Sequence, residues 1–352
     1  MRIASVEVVP YALPFREPYV TAAGTLDRRE MALLRLRSEE GLLGLGEAVP
    51  LSLRGGADLP QVVRELEQLG ERHSLDEATL RGDALALSAP ARCAALTALA
   101  DLRGRRSVEE RGEASPAQVA PIRCNATLAA ADPATVAVEA ERWAADGFTS
   151  FKLKLGTGDD VAQVRAVREA IGPAARIRVD ANAAWSREDA KRTLPQLEPF
   201  EIEFAEQPVA SLEDSAEVAA VTSIPIAADE SVASRAEAEE ALEAGACALT
   251  GIKLSKVGGP EAAIEIAEVL PAYLSSALDG PVGIAAAAQV VETLSEAGGG
   301  GLDLAHGLAT QRLFSSTVAT VGCELRGEML HPPGGPGLGV EIDEAALEAH
   351  RI

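Results

Sequence analysis

The hexapeptide Phe151–Gly156, FKLKLG, places two lysines one residue apart in an otherwise apolar run. Side chains of a strand alternate between faces, so Lys152 and Lys154 share one face. Lysine is almost never buried without a partner or a task. Similar apolar runs recur on both sides of it: APIRCNATL, SFKLKLG, RIRVDAN, IEFAEQP, PIAADES, ALTGIKLSK, AYLSSALD and LDLAHGL. Amphipathic stretches such as PATVAVEAERWAADG and VAQVRAVREAIG separate them. Strand, helix, strand at this pace predicts βαβ units and a parallel sheet. Eight such strands within about 190 residues predict a closed (β/α) barrel rather than an open sheet.

The N-terminal part is organised differently. RIASVEVVPYALPF and MALLRLRSEEGLLGLGEA alternate as antiparallel strands, with turns expected near Pro14 and at Glu40–Gly41. Helical patterns follow at Leu59–Arg72 and Ser88–Gly104, joined by a polar stretch around His73 to Gly82. Residues 1–118 are therefore expected to form an α+β capping domain. RGEASPAQ is a linker, residues 119–315 form the barrel, and the Gly/Pro-rich residues 316–352 return to the cap.

Composition narrows the chemistry. The 352 residues carry a formal net charge of −22 with 47% hydrophobic content. A basic surface for phosphate is missing, so a nucleic-acid partner is not expected. GTGDD at 156–160 lacks the spacings of nucleotide-binding loops. No run approaches a membrane span, and the N-terminal stretch has no long apolar segment of a signal peptide. The four cysteines make no CxxC pair and the four histidines no HxH or HExxH. A reduced, cytoplasmic protein without zinc is expected.

The charges in the strand runs lie near the C-terminal ends. Lys154, Asp180, Glu206, Asp229 and Lys253 follow one another at 26, 26, 23 and 24 residues. That is about one βα unit of a barrel, so the five side chains are expected on the rim where such barrels carry their active sites. Three converging carboxylates repel unless a cation joins them. Asp180, Glu206 and Asp229 offer hard oxygen donors, which suit Mg²⁺ and allow Mn²⁺. Asn182 is placed to support a bound water, and Glu230 to partner a lysine. Lys152 and Lys154, close together and partly desolvated, lower each other's proton affinity, so one can act as a general base. Lys253 is expected across the pocket from Lys154. A base beside a cation-held carboxylate suits abstraction of a weakly acidic α-proton.

KLK at 152–154, DAN at 180–182, EQP at 206–208, ADES at 228–231 and IKLSKVGG at 252–259 resemble the enolase superfamily, muconate-lactonizing subgroup. GLLGLGEAVP and PGLGVEID extend the resemblance over the whole chain. It implies a (β/α)7β modified TIM barrel under a cap with mobile loops. It also implies Mg²⁺ on Asp180, Glu206 and Asp229, with Lys154 and Lys253 as the acid/base pair. Lys256, taken as lying on the opposite side of a strand, is assigned no chemistry.

Within that subgroup, SSALDGPVGIAAAAQ followed by HGLATQRLF is most similar to o-succinylbenzoate synthases of menaquinone biosynthesis. Dipeptide epimerases carry an Asp-x-Asp pair where this chain has Asp303 and Ala305, and lack of the second carboxylate disfavours an ammonium-bearing substrate. The implied activity is a hydro-lyase acting on a small carboxylate. N-acylamino acid racemase or dipeptide epimerase is the alternative. Ser275, Ser276, Asp303 and Gly307 on the barrel, with Tyr19, Thr21 and Arg54 in the cap loops, are expected near substrate. His306 is expected to be structural. Such barrels often associate, so a homo-oligomer is also expected to form.

Overall fold

The computed structural model describes residues 1–21, 24–52, 55–71, 75–111, 120–296 and 304–352. The N-terminal strands β1 (Arg2–Thr21), β2 (Gly24–Ser38), β3 (Leu43–Ala48) and β4 (Leu75–Asp76) form an antiparallel sheet in the order β3-β2-β1-β4. The turn expected near Pro14 does not occur there. β1 runs past it, and the ladder to β2 shifts register between Pro14 and Tyr19. Proline cannot donate to a ladder, and an irregularity accommodates it without ending the strand. Gly41, at φ +92°, does turn the chain between β2 and β3.

Helices α1 (Leu59–Gly70), α2 (Glu77–Ala84) and α3 (Ala89–Arg111) pack on this sheet through Leu34, Leu36, Val62, Leu66 and Leu99. α2 occupies the stretch expected to be a polar connection. It buries only Leu80 and Ala84, so its apolar signal is thin. Asp76 starts it by accepting from the Thr79 N–H at 2.8 Å. α3 lies close on β3 because Gly46 has no side chain; a Cβ there would stand 1.9 Å from the Ala94 carbonyl oxygen.

After β5 (Ile122–Arg123), seven parallel strands follow in sequence order. They are β6 (Ala126–Leu128), β7 (Ser150–Lys154), β8 (Arg176–Asp180), β9 (Ile202–Glu206), β10 (Ile226–Ala228), β11 (Leu249–Ile252) and β12 (Ala272–Leu274). Between them run α4 (Pro133–Ala145), α5 (Asp160–Ile171), α6 (Arg187–Leu197), α7 (Leu212–Ala219), α8 (Arg235–Glu243), the short α9 (Leu254–Val257) and α10 (Pro260–Ala267). α11 (Pro281–Glu296) follows β12. Asp132, Asp159, Ser186, Ser211 and Ser234 each begin a helix by accepting a first-turn N–H.

The eighth strand position closes the ring. His306 bridges Cys124, and Gly307 bridges Ser275, both in parallel. The architecture is a (β/α)7β barrel beside an antiparallel cap sheet. On β7 and β8 the alternation is plain: Phe151, Leu153, Ile177 and Val179 pack among the helices, whereas the residues between them turn to the barrel interior. Tyr11, Leu13, Met31 and Leu33 of the cap sheet join the same core, and Ala12 N donates to His350 O at 2.9 Å near the C-terminus.

Candidate active site

Strand register brings the charges together. Lys154 ends β7, Asp180 ends β8 and Glu206 ends β9, and in the ladder Lys154 stands beside Asp180 and Asp180 beside Glu206. Asp229 directly follows β10 and Lys253 directly follows β11. Each strand thus delivers its charge to the C-terminal rim of the barrel.

The side chains are densely paired. Lys152 Nζ lies 2.8 Å from Asp180 Oδ2 and 2.5 Å from Glu206 Oε2. Lys154 Nζ donates to the same Asp180 oxygen at 2.5 Å and to Asn182 Oδ1 at 2.8 Å. Asn182 Nδ2 donates to Glu230 Oε1 at 3.0 Å. Lys253 donates to Asp229 Oδ2. Lys256 donates to the Asp229 main-chain oxygen and, at 3.0 Å, to Oδ1.

The two lysines of β7 differ. For Lys152 burial opposes the charge, but the carboxylates of Asp180, Glu206 and Asp229 outweigh it and raise the pKa above the ordinary lysine value. For Lys154 burial, joined by the ammonium groups of Lys152 and Lys253, outweighs Asp180 and lowers the pKa to about 8. Burial also opposes ionisation of Asp180, yet Lys152, Lys154 and Lys253 hold its carboxyl below the usual carboxylate range.

The donor set fits a hard divalent cation. Asp180, Glu206 and Asp229 are buried and offer only oxygen. Among the described residues Glu206 Oε1 is buried without a hydrogen-bond partner, an acceptor for which a cation is a natural match. Among the described residues no three Asp, Glu, His or Cys side chains form a ready cage. Here lysine ammonium groups occupy the carboxylate contacts.

The remaining expected positions divide. Tyr19 is half-buried and stacks on Phe15, with ring centroids 5.4 Å apart, and Phe15 stacks on Phe314 at 5.0 Å. Ser275 and Gly307 lie together in the closing ladder, where a Cβ on Gly307 would stand 2.7 Å from Ser275 Oγ. Ser276 Oγ donates to Asp279 Oδ2 at 2.7 Å and accepts from Asp279 N at 2.8 Å, so its hydroxyl is committed to that turn. His306 Nδ1 accepts from Leu274 N at 3.0 Å. Arg54 and Asp303 lie outside the described residues, and nothing is described of the Thr21 side chain.

Lys256 is a correction. The chain after Lys253 is helical rather than extended, because α9 begins at Leu254. Three residues along a helix return to the same side, which brings Lys256 to Asp229. Three further residues escaped the sequence reading. Gln207 Oε1 accepts from Asp229 N at 2.8 Å and ties β9 to β10; it lies directly beside Glu206 in EQP. Asn182, Ala183 and Gln207 all have positive φ, a cluster of backbone strain on this rim. Tyr273 Oη donates to Glu206 Oε2, and Arg178 lies buried under it, which no local pattern announces.

Comparison with known proteins bears on this geometry. Residues 135–346 match the enolase C-terminal domain-like family. An o-succinylbenzoate synthase of Thermobifida fusca (strain YX) is 39% identical over 207 residues, 56% of this chain and 64% of that protein. The chain therefore spans less than two thirds of that relative in the match. The solved muconate lactonizing enzyme from Pseudomonas fluorescens, complexed with muconolactone, superimposes with a TM-score of 0.89 at 27% identity, covering 99% of both chains. A dipeptide epimerase from Enterococcus faecalis V583, complexed with Mg and L-Leu-L-Tyr, has a TM-score of 0.87 at 26% identity, covering 97% of this chain and 100% of that one.

Proposed function

This chain belongs to the enolase superfamily, and on that premise we propose that it is a Mg²⁺-dependent lyase, an o-succinylbenzoate synthase working by α-proton abstraction. One observation carries the chemistry: Lys154 at the end of β7 and Lys253 just after β11 stand on one barrel, each paired to a carboxylate of the Asp180, Glu206, Asp229 set. The substrate assignment is supported by the 39% identity to a synthase. Ala305 supports it too, because this apolar residue stands where epimerases place their second carboxylate.

On this reading neutral Lys154 takes the proton from the carbon bearing the substrate carboxylate, and the electron pair moves into that carboxylate. The enediolate pair then expels the hydroxyl on the neighbouring ring carbon with its bonding pair, the Lys154 ammonium returns its proton to give water, and the ring becomes aromatic. Lys253 stays charged beside the ring, a cation–π arrangement. Asp180, Glu206 and Asp229 would hold Mg²⁺ or Mn²⁺, which supplies positive charge to offset the enediolate. Lys152 keeps Asp180 ionised and pairs with Glu206, and Asn182 and Glu230 brace Lys154. Residues 1–118 serve as the cap over a barrel of 119–315, with 316–352 returning to the cap. Tyr19, Ser275 and Gly307 line the substrate side in a cytoplasmic enzyme. Among the described residues no helix is long and apolar enough to cross a membrane.

A second reading, racemase or epimerase, is favoured by the near full-length likeness to the dipeptide epimerase. Both reactions begin with the same proton transfer. A panel with Mg²⁺ separates them. The synthase converts the succinyl-hydroxycyclohexadiene carboxylate to an aromatic product seen in the ultraviolet. An epimerase exchanges the α-proton of dipeptides or N-succinyl amino acids in D₂O and leaves the cyclohexadiene unchanged. Inertness toward all of them overturns both readings.

A further inference from the structure

We propose that Tyr273 is a positioning residue for Glu206: its hydroxyl takes Oε2 and leaves Oε1 as the oxygen available to the cation. The inference rests on the reading of Glu206 as a cation ligand.

Tyr273 sits on β12 and is fully buried, three strands from β9, so its bond to Glu206 crosses the barrel interior. Glu206 Oε2 accepts from the Tyr273 hydroxyl and pairs with the Lys152 ammonium at 2.5 Å. Glu206 Oε1 receives no donor among the described residues. A buried acceptor left unmatched beside a doubly matched one is the pattern of a ligand held ready.

The gap is kept open by Gly251 on β11. A Cβ there would stand 2.9 Å from Tyr273 Oη and 3.4 Å from Glu206 Oε1. Any larger residue would crowd both groups. The phenol ring is fixed from below. Phe204 lies 5.3 Å from it, tilted by 38°. The Arg178 guanidinium lies 4.7 Å over Phe204 and 5.3 Å over Tyr273. Arg178 is itself anchored at 2.5 Å to Glu203 Oε2 and at 2.5 Å to the Ala305 carbonyl. A ring packed this way holds its hydroxyl on Glu206.

The test compares Tyr273→Phe, Gly251→Ala and Glu206→Gln. Mg²⁺ affinity is read by calorimetry, the Mn²⁺ environment by electron paramagnetic resonance, and metal-free melting by circular dichroism. Tyr273→Phe keeps the ring and is expected to weaken Mg²⁺ roughly 10–100-fold, with an altered Mn²⁺ spectrum and a nearly unchanged melting temperature. Gly251→Ala displaces the hydroxyl without removing it and is expected to weaken Mg²⁺ as well. Wild-type affinity in both variants, with affinity lost in Glu206→Gln, overturns the inference alone. An affinity loss that only follows a fall in melting temperature, with the Mn²⁺ spectrum unchanged at saturation, overturns it too. Wild-type affinity in Glu206→Gln overturns the ligand reading instead.

Discussion

Lys152 and Lys154 both reach one oxygen, Asp180 Oδ2, at 2.8 and 2.5 Å from adjacent positions on one strand face. Two ammonium groups converging on a single carboxylate oxygen cannot be equivalent. Lys152 also reaches Glu206 and is held charged, whereas Lys154 pairs, among the described residues, with Asp180 alone and is the more easily deprotonated.

Lys154→Ala should therefore lower turnover by at least ~10²–10⁴-fold, the contribution of a positioned base. Mg²⁺ affinity should stay within a few-fold, because Lys152 still braces Asp180 and Glu206. Steady-state kinetics beside calorimetry checks this. Near-normal turnover would remove Lys154 from the base role.

Asp229→Asn should weaken Mg²⁺ by at least about 10-fold, since losing a ligand should exceed the loss of an outer partner. It should also lower the melting temperature, because Lys253 and Lys256 both lose an ionised partner. Unchanged affinity by calorimetry would exclude Asp229 from the ligand set.

A pH dependence follows from Glu47, which is buried where the cap meets the barrel. Its Oε2 accepts from Tyr11 at 2.7 Å and its Oε1 from Gly280 N at 2.6 Å, just before α11. Burial, reinforced by the Asp279 carboxylate, pushes its pKa up to about 7 from 4.5. The folded state then binds the proton more tightly than the unfolded chain. Stability from this group is full below pH 4.5, falls as pH rises and levels off above about 7. The span is worth roughly 3 kcal/mol. Glu47→Gln should flatten that slope in urea denaturation at pH 5 and pH 7.5. An unchanged slope would place the titration elsewhere.

Much of the site was legible because strand length and unit spacing are linear in sequence. Lys154, Asp180, Glu206, Asp229 and Lys253 recur once per βα unit, and parallel register converts that recurrence into one rim. What was hidden depends on local geometry or on contacts across the ring. Lys256 changed side because four residues after Lys253 fold as helix. Tyr273 reads as an ordinary core aromatic until β12 is set across from β9. Ser276 looked available to substrate until Asp279 took its hydroxyl. In the cap, α2 carries too few buried residues to show a period, and Pro14 reads as a turn although β2 holds the strand on both sides of it.

The most direct test of the account is a crystal of the protein grown with Mn²⁺ and measured at the manganese absorption edge. An anomalous peak is expected within coordination distance of Asp180, Glu206 and Asp229 together, with Lys154 and Lys253 on opposite sides of it. A peak bound elsewhere, or both lysines on one side, would contradict it.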